Sequence, residues 1–282
     1  MRRWTSEQVA ELDDRGALYS PALTKVETRE YLLFVAAGTE SQSCVRRFQT
    51  DPGRAEATID GVLDQVRSAG GTGMRWVVNP RTTPDDMVPR LRRRGFELAF
   101  RAETLYRDLG TPAEPDLPDA HASDGISIRE ARADEEIDAF ERLGEIVFHE
   151  PPAPSRFLER LRSQTHRSIE TTAHSPLFVA YDGAVPIGRG GVTVTGAVGR
   201  LWSAGVLPDH RSKGAYQLLT RERCRAALGL GAQLAITHAN VATSGDILKR
   251  RGFRSAGAYD YYLLRWGEAV PSIGAKSRSK RG

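Results

Sequence analysis

Hydrophobic positions along the chain fall alternately into short apolar runs and into stripes at helical spacing. In the first part, "YLLFVAA" (31–37) reads as a strand, "RAEATIDGVLDQVRSAG" (54–70) as a helix and "MRWVV" (74–78) as a strand. A helix near "DDMVPRLRRRG" (85–95) and a strand over "ELAFRAETLYRDL" (97–109) complete the order β, α, β, α, β. The later part opens with a strand "ISIREA" and a helix over 133–148, with Ile137, Phe140, Leu143, Ile146 and Val147 on one face. A second helix is predicted at "SRFLERLRSQTH" (155–166). Three strands follow, "PLFVAYD", "AVPIGRGGVTVTG" and "VGRLWSAGV", joined by "DG" and "GA" turn signals that predict an antiparallel meander. The chain ends with helix (215–231), strand "QLAITHA", helix "SGDILKRRG" and strand "AYDYYLLRW".

Between these parts, "TPAEPDLPDAHASDG" (111–125) is proline-rich and acidic without a hydrophobic period, which predicts a linker. Across it an internal repeat is visible: "PRLRRRGFELAF" (89–100) aligns with "DILKRRGFRSAG" (246–257), each preceded by helix and then strand. Two copies of one fold are expected. The boundaries read as 1–110 and 126–266, with a basic tail over 267–282.

Composition narrows the function. The 282 residues are 40% hydrophobic and 27% charged, in the range of folded globular chains. No apolar run is long enough to span a membrane, and "MRRWTSEQVAELDDRG" lacks the apolar stretch of a secretion signal. Cys44 and Cys224 form no CxxC pair, so a reducing cytoplasm is expected, with no metal site of recognised spacing. Part of the net charge of +4 sits in the tail "KSRSKRG". Nucleic acid is a weak expectation because no binding motif accompanies the charge.

The stretch "VLPDHRSKGAY" (206–216) carries the candidate chemistry. A strand ends, Pro208 stops its ladder, and a basic glycine turn opens a helix whose first amides and dipole favour an anion. Gly214 permits close backbone approach, Ser212 and Ala215 add little bulk, and Arg211 and Lys213 add charge. One glycine turn alone is a weak signal and reads first as a structural bend. Together, however, this strand, the proline, Arg-x-x-Gly-x, helix, strand, Asn240, helix and "GF" resemble the Gcn5-related N-acetyltransferase (GNAT) family over about Ile126 to Trp266.

The resemblance implies an α+β fold of two tandem GNAT-like domains, each a bent, mixed, mainly antiparallel sheet flanked by helices. It implies acetyl-coenzyme A as co-substrate, with pantetheine pairing to Ala204, Gly205 and Val206. The pyrophosphate would lie on Arg211, Ser212, Lys213, Gly214, Ala215 and Tyr216, and Asn240 would hold the cofactor arm. Tyr216 departs from the family's glycine or alanine, and Leu248 stands where many members carry a tyrosine that protonates the thiolate. The first half lacks the loop, and Asp51 there would repel a pyrophosphate, so it reads as a degenerate copy that packs, dimerises or walls the cleft.

Direct attack of an amine in a ternary complex needs a base. Candidates are Glu150 and His149 at the end of the first helix, and Asp260 in the last strand, beside Tyr259 and Tyr261. His238 reads as a packed histidine, Cys224 as a core thiol and "RLRRR" as a solvated helix face. The acceptor that the resemblance implies is a small-molecule or peptide amine. An aminoacyl-tRNA donor on the same fold and a non-catalytic acyl-coenzyme A sensor or scaffold stay open, as does a homodimer.

Overall fold

Most of the predicted elements form, and three form that the pattern did not show. The structure is a computed structural model that describes residues 4–14, 23–36, 43–113, 115–148 and 175–266. The first half comprises α1 (Ser6–Asp14), β1 (Leu23–Glu27), β2 (Tyr31–Ala36), β3 (Ser43–Phe48), α2 (Ala55–Ser68), β4 (Gly73–Val78), α3 (Met87–Arg93) and β5 (Glu97–Asp108). The second comprises β6 (Ile126–Glu130), α4 (Asp134–Phe148), β7 (Leu177–Asp182), β8 (Val185–Thr195), β9 (Val198–Val206), α5 (Ala215–Gly229), β10 (Leu234–Asn240), α6 (Ser244–Lys249) and β11 (Arg254–Arg265). The helix predicted at 155–166 lies outside the described residues, as do His149 and Glu150.

Unpredicted α1, β1 and β3 are short and polar. In β3, "SCVRRF", Arg46 is only 2% exposed, because a carboxylate from α1 meets it. The predicted stripe of α2 is intact: Ile59, Val62, Leu63 and Val66 pack on Trp76 and Phe48, each side chain contributing about 2 kcal/mol by burial. The "RLRRR" face is ion-paired, not merely solvated: Arg90, Arg93 and Arg94 reach Glu56, and Arg94 also reaches Asp60.

The repeat is visible in backbone detail. Gly95 and Gly252 have φ of 85° and 81°, and each closes a helix in the same way. The Phe96 and Phe253 amides return to the Leu91 and Leu248 carbonyls, both at 3.1 Å, and both phenylalanines are buried.

The eleven strands form one sheet in the order β1-β2-β3-β4-β11-β5-β10-β9-β8-β7-β6. The meander β7, β8, β9 is antiparallel. The two halves exchange their last strands: β11 pairs with β4 and β5, while β5 pairs with β11 and β10, all antiparallel. Neither half therefore leaves an open edge at the junction. Helices α2, α3, α5 and α6 pack on one face of the sheet, while α1 and α4 pack on the other. The connecting segment is fastened as well: Arg107 pairs with Asp116, Leu117 packs on the core, and the Ser123 amide donates to the Lys213 carbonyl at 3.0 Å.

Candidate functional site

A slot opens in the second half where two parallel strands part. β9 pairs with β10 only from Val198↔Leu234 to Leu201↔Thr237. Beyond that point β9 keeps only β8 as a ladder partner, and β10 keeps β5. A bulge bends β9 here, with the register shifting between Arg189↔Gly205 and Gly191↔Trp202. Ser203 takes a left-handed φ of 50°, and its Oγ accepts from Arg189 Nη2 at 2.6 Å. Arg189 is buried, donates to the Phe140 carbonyl at 3.0 Å and lies over the Phe140 ring, so α4 fixes the bulge. Ala204, Gly205 and Val206 thus line one lip of the slot.

The strand then runs through a short turn at Pro208–His210 into the glycine loop. Gly214 has φ of 86°, and a Cβ at this position would collide with the carbonyl oxygen of His121. The Gln217 and Leu218 amides both donate to the Gly214 carbonyl, at 3.0 and 3.1 Å, so the amides of Ser212 to Tyr216 precede the helical ladder. That arrangement fits an anion at the start of a fifteen-residue helix. The loop's charges are differently placed than the sequence suggested. Lys213 Nζ meets Asp182 at 2.9 Å and His210 Nδ1 meets the same carboxylate at 3.2 Å. The hydrogen bond from Lys213, then that from His210, holds the Asp182 carboxyl below its ordinary range. Arg211 Nε donates back to the Val206 carbonyl at 3.2 Å.

Tyr216, the residue out of pattern, packs against the core of the second half. Burial pushes its phenol up. Gln217, beside it, accepts from Arg251 Nη2 at 2.8 Å, which ties α5 to the turn after α6. Asn240 Oδ1 accepts from the Ala242 amide at 2.8 Å and shapes the turn into α6.

The first half has the same parting of strands, with its own chain inside it. β3 and β4 pair only from Ser43↔Met74 to Val45↔Trp76. Thr83 then enters beside β3: its amide donates to the Phe48 carbonyl at 3.1 Å, and its carbonyl accepts from the Thr50 amide at 3.3 Å. Gln49 and Thr83 form a parallel bridge. The chain itself therefore makes the main-chain bonds that an added strand would make there.

A buried polar cluster lies on the α1 and α4 face, at the point where β9 and β10 separate. Asp13 of α1 is fully buried. Its Oδ2 accepts from His238 Nε2 at 2.7 Å, Thr104 Oγ1 at 2.9 Å and Arg46 Nη2 at 3.3 Å, and its Oδ1 accepts from Arg200 Nη1. Tyr261 Oη lies 2.9 Å from His238 Nδ1 and accepts from Arg46 Nη1 at 2.9 Å. Burial alone would push the Asp13 carboxyl up, but His238, Arg46 and Arg200 outweigh it and hold it well below the usual range. Desolvation pushes the Tyr261 phenol up. No local spacing signals this cluster, because Asp13 and His238 are 225 residues apart.

Asp260 is placed differently. It alternates with Tyr259 and Tyr261 along β11, so it points to the opposite face, where Arg101 grips it in a bidentate pair at 2.5 and 2.7 Å. Cys224 is fully buried, and desolvation pushes its thiol up to about 12; Cys44 is buried as well. A thiol reagent at pH 8 is therefore expected to leave the native protein unmodified and to label both cysteines after unfolding. A fast-reacting thiol in the native state would contradict that placement. Among the described residues, no three His, Cys, Asp or Glu side chains are grouped to hold a metal ion, and no helix is long and apolar enough to cross a membrane.

The chain has the fold of the Gcn5-related N-acetyltransferases in tandem arrangement. It is similar to a GCN5-related N-acetyltransferase from Kribbella flavida, with a TM-score of 0.67 at 15% identity, covering 93% of this chain and 96% of that one. A tandem GNAT protein from the clavulanic acid biosynthesis pathway aligns with a TM-score of 0.55 at 16% identity over 93% and 89% of the two chains. The N-myristoyltransferase of Saccharomyces cerevisiae, solved with bound myristoyl-CoA, aligns at 0.53 and 13% over 89% and 69%. No protein-family model and no curated protein matches the sequence.

Proposed function

We propose that this protein is an acyl-coenzyme A dependent N-acyltransferase whose working site lies in the second half, residues 126–266. The reading rests on one contrast: the slot between β9 and β10 runs straight into the amides of 212–216, whereas the matching slot of the first half holds Thr83. A pantetheine arm has main-chain groups to pair with at Ala204–Val206, and a pyrophosphate has helix-start amides without a main-chain partner among the described residues, and the side chain of Arg211. The first half, residues 1–110, serves as a wall of the cleft and a donor of strand β5. The expected chemistry is acetyl transfer to a small-molecule or peptide amine by direct attack, with no covalent enzyme intermediate.

Calorimetry with coenzyme A should give a stoichiometry of one per chain. Two equivalent sites would show that Thr83 does not close the first slot. Thiol release from acetyl-coenzyme A across a panel of amines then tests catalysis. Tight cofactor binding without release for any amine would leave a sensor; salt-dependent tRNA binding without coenzyme A binding would favour the aminoacyl-tRNA donor.

A further inference from the structure

We propose that His238, Tyr261 and Asp13 form a proton relay for the acyl transfer, with the first half supplying the carboxylate that makes it work. The proposal rests on the acyltransferase reading and names the proton path at that same site.

Position is the first reason. Parallel pairing of β9 and β10 ends at Leu201↔Thr237, so His238 is the first β10 residue past the parting of the strands. Its side chain shares a face with Arg200, since both reach Asp13. An acyl group carried to the closed end of the slot would arrive beside this cluster. His238 keeps partial exposure, 29% of its side chain, in a cluster otherwise closed by α1.

Hydrogen bonding is the second reason. Asp13 is held ionised by its surroundings, so the 2.7 Å contact requires a proton on His238 Nε2. With that proton on Nε2, Nδ1 can accept, and the Tyr261 hydroxyl, whose oxygen already accepts from Arg46, donates to it. When a proton arrives at Tyr261 Oη, the phenol's own proton passes to Nδ1. The imidazolium formed lies between the Asp13 carboxylate and the phenol oxygen.

The step balances without another reagent. The amine nitrogen bonds to the thioester carbonyl carbon, an N–H bond breaks and Oη–H forms, and the original Oη–H breaks as Nδ1–H forms. The carbon–sulfur bond then breaks, and the relay returns the proton to the thiolate to give the free thiol. This return offers a source for the proton that Leu248 cannot donate. The groups facing the imidazole are Asp13 from α1, Arg46 from β3, Thr104 from β5, Arg200 from β9, and Tyr259 and Tyr261 from β11. Asp13 acts through His238 and is a positioning residue.

The experiment measures thiol release with the best amine of the panel across pH for wild type, H238Q, Y261F and D13N. The side-chain amide introduced by H238Q can still donate to Asp13 but cannot take up a proton. H238Q is expected to lower kcat by roughly 100-fold or more and to abolish the acidic limb of the rate profile, with coenzyme A affinity unchanged by calorimetry. Y261F, which keeps the ring and Asp13, should lose kcat in the same sense, and D13N should displace the acidic limb. Wild-type rate and limb in folded H238Q or Y261F would overturn the relay while leaving the acyltransferase reading intact. No thiol release by wild type with any amine, despite cofactor binding, would overturn both.

Discussion

Replacing Asp13 by alanine should lower the unfolding free energy at pH 7 by about 3–5 kcal/mol, the range for removing one partner of a buried ion cluster. The carboxylate has no solvent contact, and three cationic or titratable side chains from β3, β9 and β10 converge on it. Without it, the Arg46 and Arg200 guanidiniums lose their shared counter-ion. The sign of the pH dependence follows from the direction of the shift. The folded carboxyl lies below its unfolded value, so its contribution is complete above about pH 4–5 and is lost as pH falls through the folded value. Urea melts of wild type and D13A should therefore differ most near neutrality and converge in acid. A loss under about 1 kcal/mol at pH 7 would mean that the cluster is solvated and not structural.

This cluster also shows where the sequence was and was not legible. The strands with continuous apolar runs, the α2 stripe and the "RRGF" junctions were readable because their signals are local: periodicity, a glycine cap, a buried phenylalanine. The element β3 was hidden because two of its six residues are arginines, and Arg46 becomes a core residue through partners remote in sequence, Asp13 of α1 and Tyr261 of β11. His238 read as a packed histidine for the same reason. Its partners come from positions 13, 46 and 261, and strand exchange is what brings them to one face. The glycine turn and the helix it opens were legible, yet the cover given by residues 121–123 and the tie of Lys213 to Asp182 were not, since each depends on a partner remote in sequence.

The two halves meet the same backbone problem, a pair of parallel strands that part, within a sheet in which they exchange their last strands. In the first half, Thr83 supplies both main-chain bonds to β3 that an extended ligand would supply, so the parted strands stay satisfied. In the second, the corresponding stretch of β9 relies on the Arg189–Ser203 contact to hold its bend. The two copies thus answer one backbone problem in different ways.

Gly214→Val should abolish measurable coenzyme A binding, a fall of more than about 100-fold or roughly 2.7 kcal/mol. Two effects act together. A β-branched residue at φ of 86° is strained by about 1–3 kcal/mol, and its Cβ would collide with the His121 carbonyl oxygen and crowd Ala122, backbone that cannot simply rotate away. The loop must then move, and the amides of 212–216 lose their common direction. Gly53, in the turn before α2 of the first half, is the internal comparison. A Cβ there meets nothing within 4 Å, and its slot is filled by Thr83, so Gly53→Val should leave coenzyme A binding unchanged. Calorimetry on the two variants separates local from general damage. Equal loss in both would assign the effect to global destabilisation, while retained binding in Gly214→Val would remove the loop from the site and leave the slot between β9 and β10 without its anion anchor.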